Sequence, residues 1–501
     1  MPAAFSLRVD RLSRRALLLL LAGIFLFVHL LYLMAGVSFD VSTLDWYWQF
    51  IDTELLKTRL LESLFYLHSQ PPLYNLFLGL VLKAGGEAYP TLFLCLHLLM
   101  GFALYLALFH LLRLFTLSRA LSLTLATLFL IQPAFVLYEM MLFYTLPQTL
   151  ALTLAAVCLI RFWRGADLLT STGLFLCLLA LGGTWGAYHL ACILLVTASL
   201  VYLNRTRWRA ILIGSALPLI LLTAIYLKNY LLFGRFTAST WLGMNVWYLS
   251  AKNLSEETIA KLIQEGKVSE LSRIGPFAPL SSYPPSWRET AGFEGIPILR
   301  EERRSNGNPS FHHLAYTGIS DQFLRDTIAM TRAYPASYLK GSLGAWFLYF
   351  RSASDFHGVE QNRKRISDYN ALFDRIVFLK TPEILAQGGR RYPVYLSLLI
   401  GLPLLTLYAI RLLFLKSPDK RALSEDLRVG LIFLCFHILF VAFAGNALQS
   451  GENNRFRFTT DPFSLVILGL FLKNSFPGML YARLLSSRDR LPAIGSSQDA
   501  R

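Results

Sequence analysis

Acids, a histidine and basic residues stand in this chain at places where an apolar scaffold has no use for them, and such groups move protons or meet phosphate charge. Asp40 and Asp45 lie behind the first apolar run, and His68 opens the run HSQPPLYN, which also holds Gln70 and Tyr74. Two prolines after His68 fix an extended approach to the next helix, so these side chains sit at a set depth. The plain alternative for either aspartate is a solvated loop residue. Glu139 closes a long apolar stretch, PAFVLYEMMLFYTLP. An acid at that depth is expensive enough to point to function unless it snorkels to the interface.

The basic candidates come later. Lys228 ends an apolar run in KNYLLFGRF, where it either hydrogen-bonds the last free carbonyls of a helix or meets a lipid phosphate. Arg455 and Arg457 stand in GENNRFRFTTDPF, alternating with Phe456 and Phe458. An extended backbone would turn both arginines to one side; the alternative is two arginines anchoring a helix end. His312 and His313 are adjacent in NPSFHHLAY without further ligand spacing, which is weak support for a metal. No Walker loop, Gly-x-Ser-x-Gly or HExxH motif is present. Five cysteines without a Cys-x-x-Cys pair read as small hydrophobes inside apolar segments.

The elements that must position these residues are membrane helices. Of 501 residues 55% are hydrophobic and only 16% charged, yet the formal net charge is +16. Average globular domains are about 45–50% apolar and about 25% charged, so a cytosolic enzyme is excluded, and no nucleic acid is expected. A bilayer core of about 30 Å takes roughly 20 apolar residues in a helix. Candidate spans run over 16–35, 90–112, 120–138, 145–160, 168–184, 185–203, 210–227, 393–415, 429–447 and 462–472, about ten in all. The first is longer than a cleaved signal's apolar region and reads as a retained anchor. The stretch 71–83 is expected as a juxtamembrane or re-entrant helix, and that choice puts the basic connections at 113–119, 161–164, 205–209 and 416–428 in the cytoplasm. The expected fold is therefore an all-α polytopic membrane protein with both termini cytoplasmic. Its units are a seven-span module (1–228) with an outer loop at 36–89, a large outer-face loop domain (229–392), a three-span module (393–475) and a cytoplasmic tail (476–501). Amphipathic interfacial helices are expected at 51–67 and 336–350.

In order and sidedness these elements resemble the C-type membrane glycosyltransferases (the GT-C fold), relatives of protein O-mannosyltransferases and of the aminoarabinose transferase that modifies lipid A. The matching pieces are the anchor, the acidic first loop ending in HSQPPLYN, the acid at Glu139, the Asn-Tyr-x-x-Phe-Gly exit after Lys228, the following Gly-x-Asn with Asn245, and the Arg-Phe element before the last span. The resemblance implies inverting transfer of a sugar from a polyprenyl-phosphate donor to a lipid, glycan or protein acceptor on the outer face of a cell-envelope membrane, such as a bacterial inner membrane, among membrane lipids. It implies Asp45 as the general base, with Asp40 as the alternative because the family's usual Asp-Glu pair is here Asp45-Trp46. A placed carboxylate that takes a hydroxyl proton contributes about 10²–10⁴ in rate. Glu139 would help hold the acceptor or the base. His68, Lys228, Arg455 and Arg457 would bind the donor phosphate, and Gln70, Tyr74 and Asn245 would contact substrate. No cofactor is implied with certainty; a divalent cation stays open without a ligand set. The rival readings are a transporter or flippase of lipid-linked glycans, a polymerase or ligase of them, and a non-catalytic assembly factor. Carriers often carry internal repeats, and none is visible here.

Overall fold

The computed structural model describes residues 9–165, 167–387, 390–415 and 423–475. The expected tail at 476–501 and most of the basic connection at 416–428 lie outside the described residues. The chain is mostly helical. Five helical runs are long and apolar enough to cross a membrane: Arg14–Met34, Leu73–Leu114, Thr145–Gly165, Arg205–Phe233 and Glu425–Leu448. A sixth is added if Arg119–Ile131 and Pro133–Glu139, bent by 61° at their junction, form one span. That bend sits where the sequence puts a proline. Pro133 has no N–H to continue the ladder and pushes Gln132 out of the helical region, to ψ 126°. Others of the ten expected spans are shorter helices: Leu168–Gly182 and Leu190–Leu203, of 15 and 14 residues, rise only about 21–23 Å against a core of about 30 Å.

Two expectations change in detail, and a third holds. The single amphipathic helix over 51–67 is two helices, Thr53–Thr58 and Leu60–Tyr66, broken at Arg59. The break turns Leu60 inward onto Gly79, where an added Cβ would come within 2.3 Å of the leucine. The span expected from residue 393 begins instead at Ser397, because Lys380–Gln387 and Arg390–Tyr395 pair as an antiparallel hairpin, so the fold is not purely α. The helix expected over 336–350 is found at Pro335–Tyr349, with Trp346 against Phe443 of the Glu425–Leu448 helix.

The basic connections gather at one end of the bundle. Arg119 bonds Asp10, Arg164 pairs with Asp426 at 2.6 Å, Arg207 caps the carbonyls of Phe162 and Trp163, and Lys473 reaches Thr116. The Thr145–Gly165 helix alone carries the chain about 31 Å from that end. At its far end lie the first loop, the 140–145 turn, the large loop and residues 449–461. The large loop has its own core around Trp241, Met244, Trp247, Phe311, Tyr316 and Phe323. Its helix Leu242–Ala251 crosses Ala315–Ala333 so closely that a Cβ on Gly243 would lie 1.8 Å from the Ser320 carbonyl oxygen.

Candidate functional site

A cavity of about 360 Å³ opens at the end of the bundle away from the basic connections. Three separated segments wall it: Trp46 to Gln49 of the first loop, the large loop through Trp241, Asn245, Tyr248, Phe277 and His357, and Gln449 to Glu452. The first loop is short of regular structure, and backbone bonds to neighbouring segments hold it. Asp40 exchanges backbone bonds with Met140 and Leu142 (2.8 and 2.9 Å). Arg304 donates to the carbonyls of Tyr47 and Phe50 at 2.7 and 2.8 Å, while Asn306 and Asn308 both donate to the Asp45 carbonyl at 2.9 Å. Asp52 accepts from the Ser305 N–H and hydroxyl. Asn75, at the end of HSQPPLYN, bonds Ile51 and Gln49. These fixed partners satisfy loop backbone that would otherwise be buried without bonds.

Glu452 is the cavity's acid. The Tyr47 hydroxyl donates to its Oε1 at 2.6 Å and Arg455 donates to its Oε2 at 2.5 Å. Arg455 is 1% exposed and boxed by the rings of Phe143, Tyr144, Phe356 and Phe456 at 4.7 to 5.6 Å, a setting that favours a cation. Burial works against charge on Glu452, yet the Arg455 guanidinium and the Tyr47 hydrogen bond hold its carboxyl below the usual carboxylate range. Burial and the neighbouring carboxylate push the Tyr47 hydroxyl well above its ordinary value. Glu452 is thus an ionised, fixed acceptor at neutral pH. Its one signal in the sequence is an acid three residues ahead of Arg455.

The expected site residues divide. Asn245 lines the cavity, and Asp45 is exposed next to its wall residue Trp46, its side chain accepting no hydrogen bond among the described residues. Asp40 lies on the same loop, but its carboxylate caps the Ser42 N–H at 2.9 Å. Glu139 is fully buried and pairs with His29 of the first helix, away from the cavity lining. Tyr74 is buried against Phe50 and Tyr144, and Gln70 is half-buried outside the lining. Asn453–Phe458 is helical, so the alternation expected to align the two arginines does not apply, because residues two apart on a helix face away from each other. Arg457 is spent on the carbonyls of Tyr349 and Arg351 and on Asp461. Lys228 donates to the Leu67 carbonyl at 2.6 Å, one of its three N–H bonds, and is half-buried.

His68 and His312 form a buried hub. His68 Nε2–H donates to the His312 carbonyl at 2.9 Å, so its Nδ1 accepts from Thr240. His312 Nε2–H donates to the Phe50 carbonyl, so its Nδ1 accepts from Ser69. Every ring nitrogen is used and both rings are neutral, which leaves His68 no charge for a phosphate and His312 no lone pair for a metal. Among the described residues no group of three or more His, Cys, Asp or Glu side chains is placed to hold a metal ion. Burial, with the neighbouring basic groups, lowers both imidazoles to about 3. The unfolded chain takes up these protons near the ordinary value of about 6.5, so it binds more protons than the native state between about pH 3 and 6.5. The contribution is complete above about 6.5 and is lost as pH falls, roughly 2 kcal/mol per histidine at pH 5. The melting temperature of the purified chain is expected to fall from pH 6.5 to 5, and His312→Gln to make that slope shallower. The same slope in wild type and His312→Gln would contradict the hub.

No family model, curated protein or solved structure matches this chain. Long apolar helices carry its membrane character, and the cavity is the concave site at one end of them.

Proposed function

We propose that this chain is an inverting membrane glycosyltransferase that moves a sugar from a polyprenyl-phosphate donor to a hydroxyl-bearing lipid, glycan or protein acceptor at the outer face. The observation that carries the reading is the cavity itself. Aromatic faces, amide side chains and one fixed carboxylate meet there, at the end of the bundle opposite the basic connections. By the positive-inside rule the basic end is cytoplasmic, which makes the cavity end the outer one. Asp45 takes the acceptor proton, since its carboxylate is unspent beside the cavity wall. Glu452 is held too firmly ionised to be a strong base, and it serves as an acceptor for sugar hydroxyls. Lys228, with two N–H donors left, meets the donor phosphate. Its partner Leu67 adjoins His68, whose partner Thr240 adjoins Trp241 of the cavity wall.

The test compares transfer from a labelled polyprenyl-phosphate sugar to envelope acceptors by reconstituted wild type, Asp45→Asn and Asp40→Asn. Asp45→Asn is expected to lose about 10²–10⁴ in rate, with Asp40→Asn retaining most of it. Wild-type rates from both variants would sink the base assignment, and an inert wild type across lipid-linked donors would sink the reading.

A further inference from the structure

We infer that the helix Ser367–Ile376 of the large loop docks on the outer leaflet, its apolar stripe sunk into the headgroup–acyl boundary, and that this docking sets the height of the first loop above the lipid. It is independent of the transfer chemistry. The helix presents three faces. Asn370, Phe373 and Asp374 are buried, with Phe373 in a small core beside Phe378 and Tyr395. Asp368, Ala371 and Arg375 form an exposed face of charged and small residues. Next to both, Tyr369, Leu372 and Ile376, spaced i, i+3 and i+7, make an apolar stripe. The protein leaves that stripe open: Leu372 is 55% and Ile376 64% exposed. Leu379 and Ile384, in the turn and strand that follow, are 53% and 65% exposed. Apolar side chains concentrated in this way mark a surface that a membrane or a partner covers.

The bend at Pro133 identifies the cover as lipid. Pro133 has no N–H, and the Phe135 N–H turns to the Gln132 carbonyl at 2.9 Å, so the Ile131 carbonyl is left without its i+4 donor. The Tyr369 hydroxyl donates to that carbonyl at 2.7 Å and the Tyr32 hydroxyl at 3.2 Å, and the two rings meet edge to face at 6.0 Å. Tyr32 lies two residues from the end of the apolar helix Arg14–Met34, about 3 Å along its axis. The shared carbonyl therefore hangs Ser367–Ile376 at the outer rim of a membrane span, the level where tyrosines gather. Leu31, Leu33 and Met34 of that span are exposed beside Tyr32, so the stripe adjoins a surface that faces lipid. Arg375, on the exposed charged face, suits headgroup phosphates. Just ahead of the helix, Arg365 donates to the Gly36 carbonyl, and Asn362 bonds the N–H and the carbonyl of Ser38 at 3.1 and 2.7 Å. The docked helix thereby holds the start of the first loop, the segment that goes on to the cavity wall.

The test carries a nitroxide at Leu372→Cys, Ile376→Cys or Ala371→Cys in the full chain, with alanine at its five native cysteines, reconstituted in lipid nanodiscs. Collision of each label with oxygen, which concentrates in the bilayer, is read against collision with a water-soluble nickel chelate. Labels at 372 and 376 are expected to lie about 5–10 Å below the headgroups, and the label at 371 to face water. Nickel collision as frequent at 372 and 376 as at 371 would overturn the inference. So would shielding of 372 and 376 from both reagents, the sign of a second copy or another protein on the stripe. Wild type with its cysteines intact is checked by hydroxyl-radical footprinting in the same nanodiscs, where Leu372 and Ile376 are expected to be spared. Oxidation of both to the level of a water-exposed leucine would equally refute the docking.

Discussion

Glu452→Gln is expected to lower both the thermal stability and the proposed transfer rate of the reconstituted chain, and Glu452→Gln combined with Arg455→Met to restore the stability without the transfer. The first half follows from burial. Arg455 is 1% exposed, and its charge is met by Glu452 at 2.5 Å; two further contacts, with Tyr144 and Thr145, are at 3.3 Å. Removing one partner of such a pair strands a charge and costs about 3–5 kcal/mol, with glutamine near the lower end because one oxygen still accepts. Methionine in place of Arg455 removes that charge and fits a box of four rings, where a thioether makes favourable contacts. Replacing a buried ion pair by apolar groups is often neutral or stabilising, so the double variant is expected within about 1 kcal/mol of wild type. Transfer is not expected to return, because the acceptor left by glutamine is uncharged; loss of a charge-assisted hydrogen bond of about 1.5–3 kcal/mol lowers the rate about 10- to 100-fold. The measurement is a melting curve beside a transfer assay for the four members of the cycle. Full transfer by the double variant would show that Glu452 acts only as a counter-ion.

How far the sequence foretells this arrangement depends on the distance over which each feature is decided. Apolar runs are local, and the long helices at 14–34, 145–165 and 425–448 stand close to where hydrophobicity places them. Pro133 marks its bend in the sequence, yet the two halves on either side read as one apolar run. The break at Arg59 follows from Leu60 packing into the space over Gly79, a contact no periodicity reveals. The cavity is decided over longer distances still: Tyr47 and Glu452 are 405 residues apart, and an acid in a polar turn looks like any solvated residue until its partner is known. His68 stands out in the sequence for its neighbours in HSQPPLYN, whereas its role is set by Thr240 and His312, both far along the chain. Asn245 and the Asp45 loop, by contrast, do reach the cavity because whole segments converge there.

Gly101→Ala and Glu139→Ala are each expected to destabilise the chain by about 3 kcal/mol, and together by no more than either alone. Glu139 is fully buried and pairs with His29 of the first helix, joining it to the bent helix that Glu139 ends. Gly101, on the Tyr89–Leu114 helix, leaves the room: a Cβ there would fall 1.7 Å from Glu139 Oε1 and 2.6 Å from its carboxyl carbon. Helix backbone cannot yield by that much, so the carboxylate must swing away from His29. Gly101→Ala thus breaks the same pair that Glu139→Ala removes, at the cost of one broken buried pair with overpacking of about 1–3 kcal/mol as the competing contribution. Independent sites would add to about 6 kcal/mol; removing the side chain that the new methyl strikes makes the second change nearly free, an interaction energy of about 3 kcal/mol. Additive losses in melting curves would refute the contact. Activity of the double variant then decides the role of Glu139. If the acid only fastens the first helix, transfer scales with the folded fraction in all three variants; if it handles acceptor or base, transfer stays lost at temperatures where the double variant is fully folded. The carboxylate faces His29 and lies outside the cavity lining, which favours the fastening role and leaves Asp45 and Glu452 as the acids of the site.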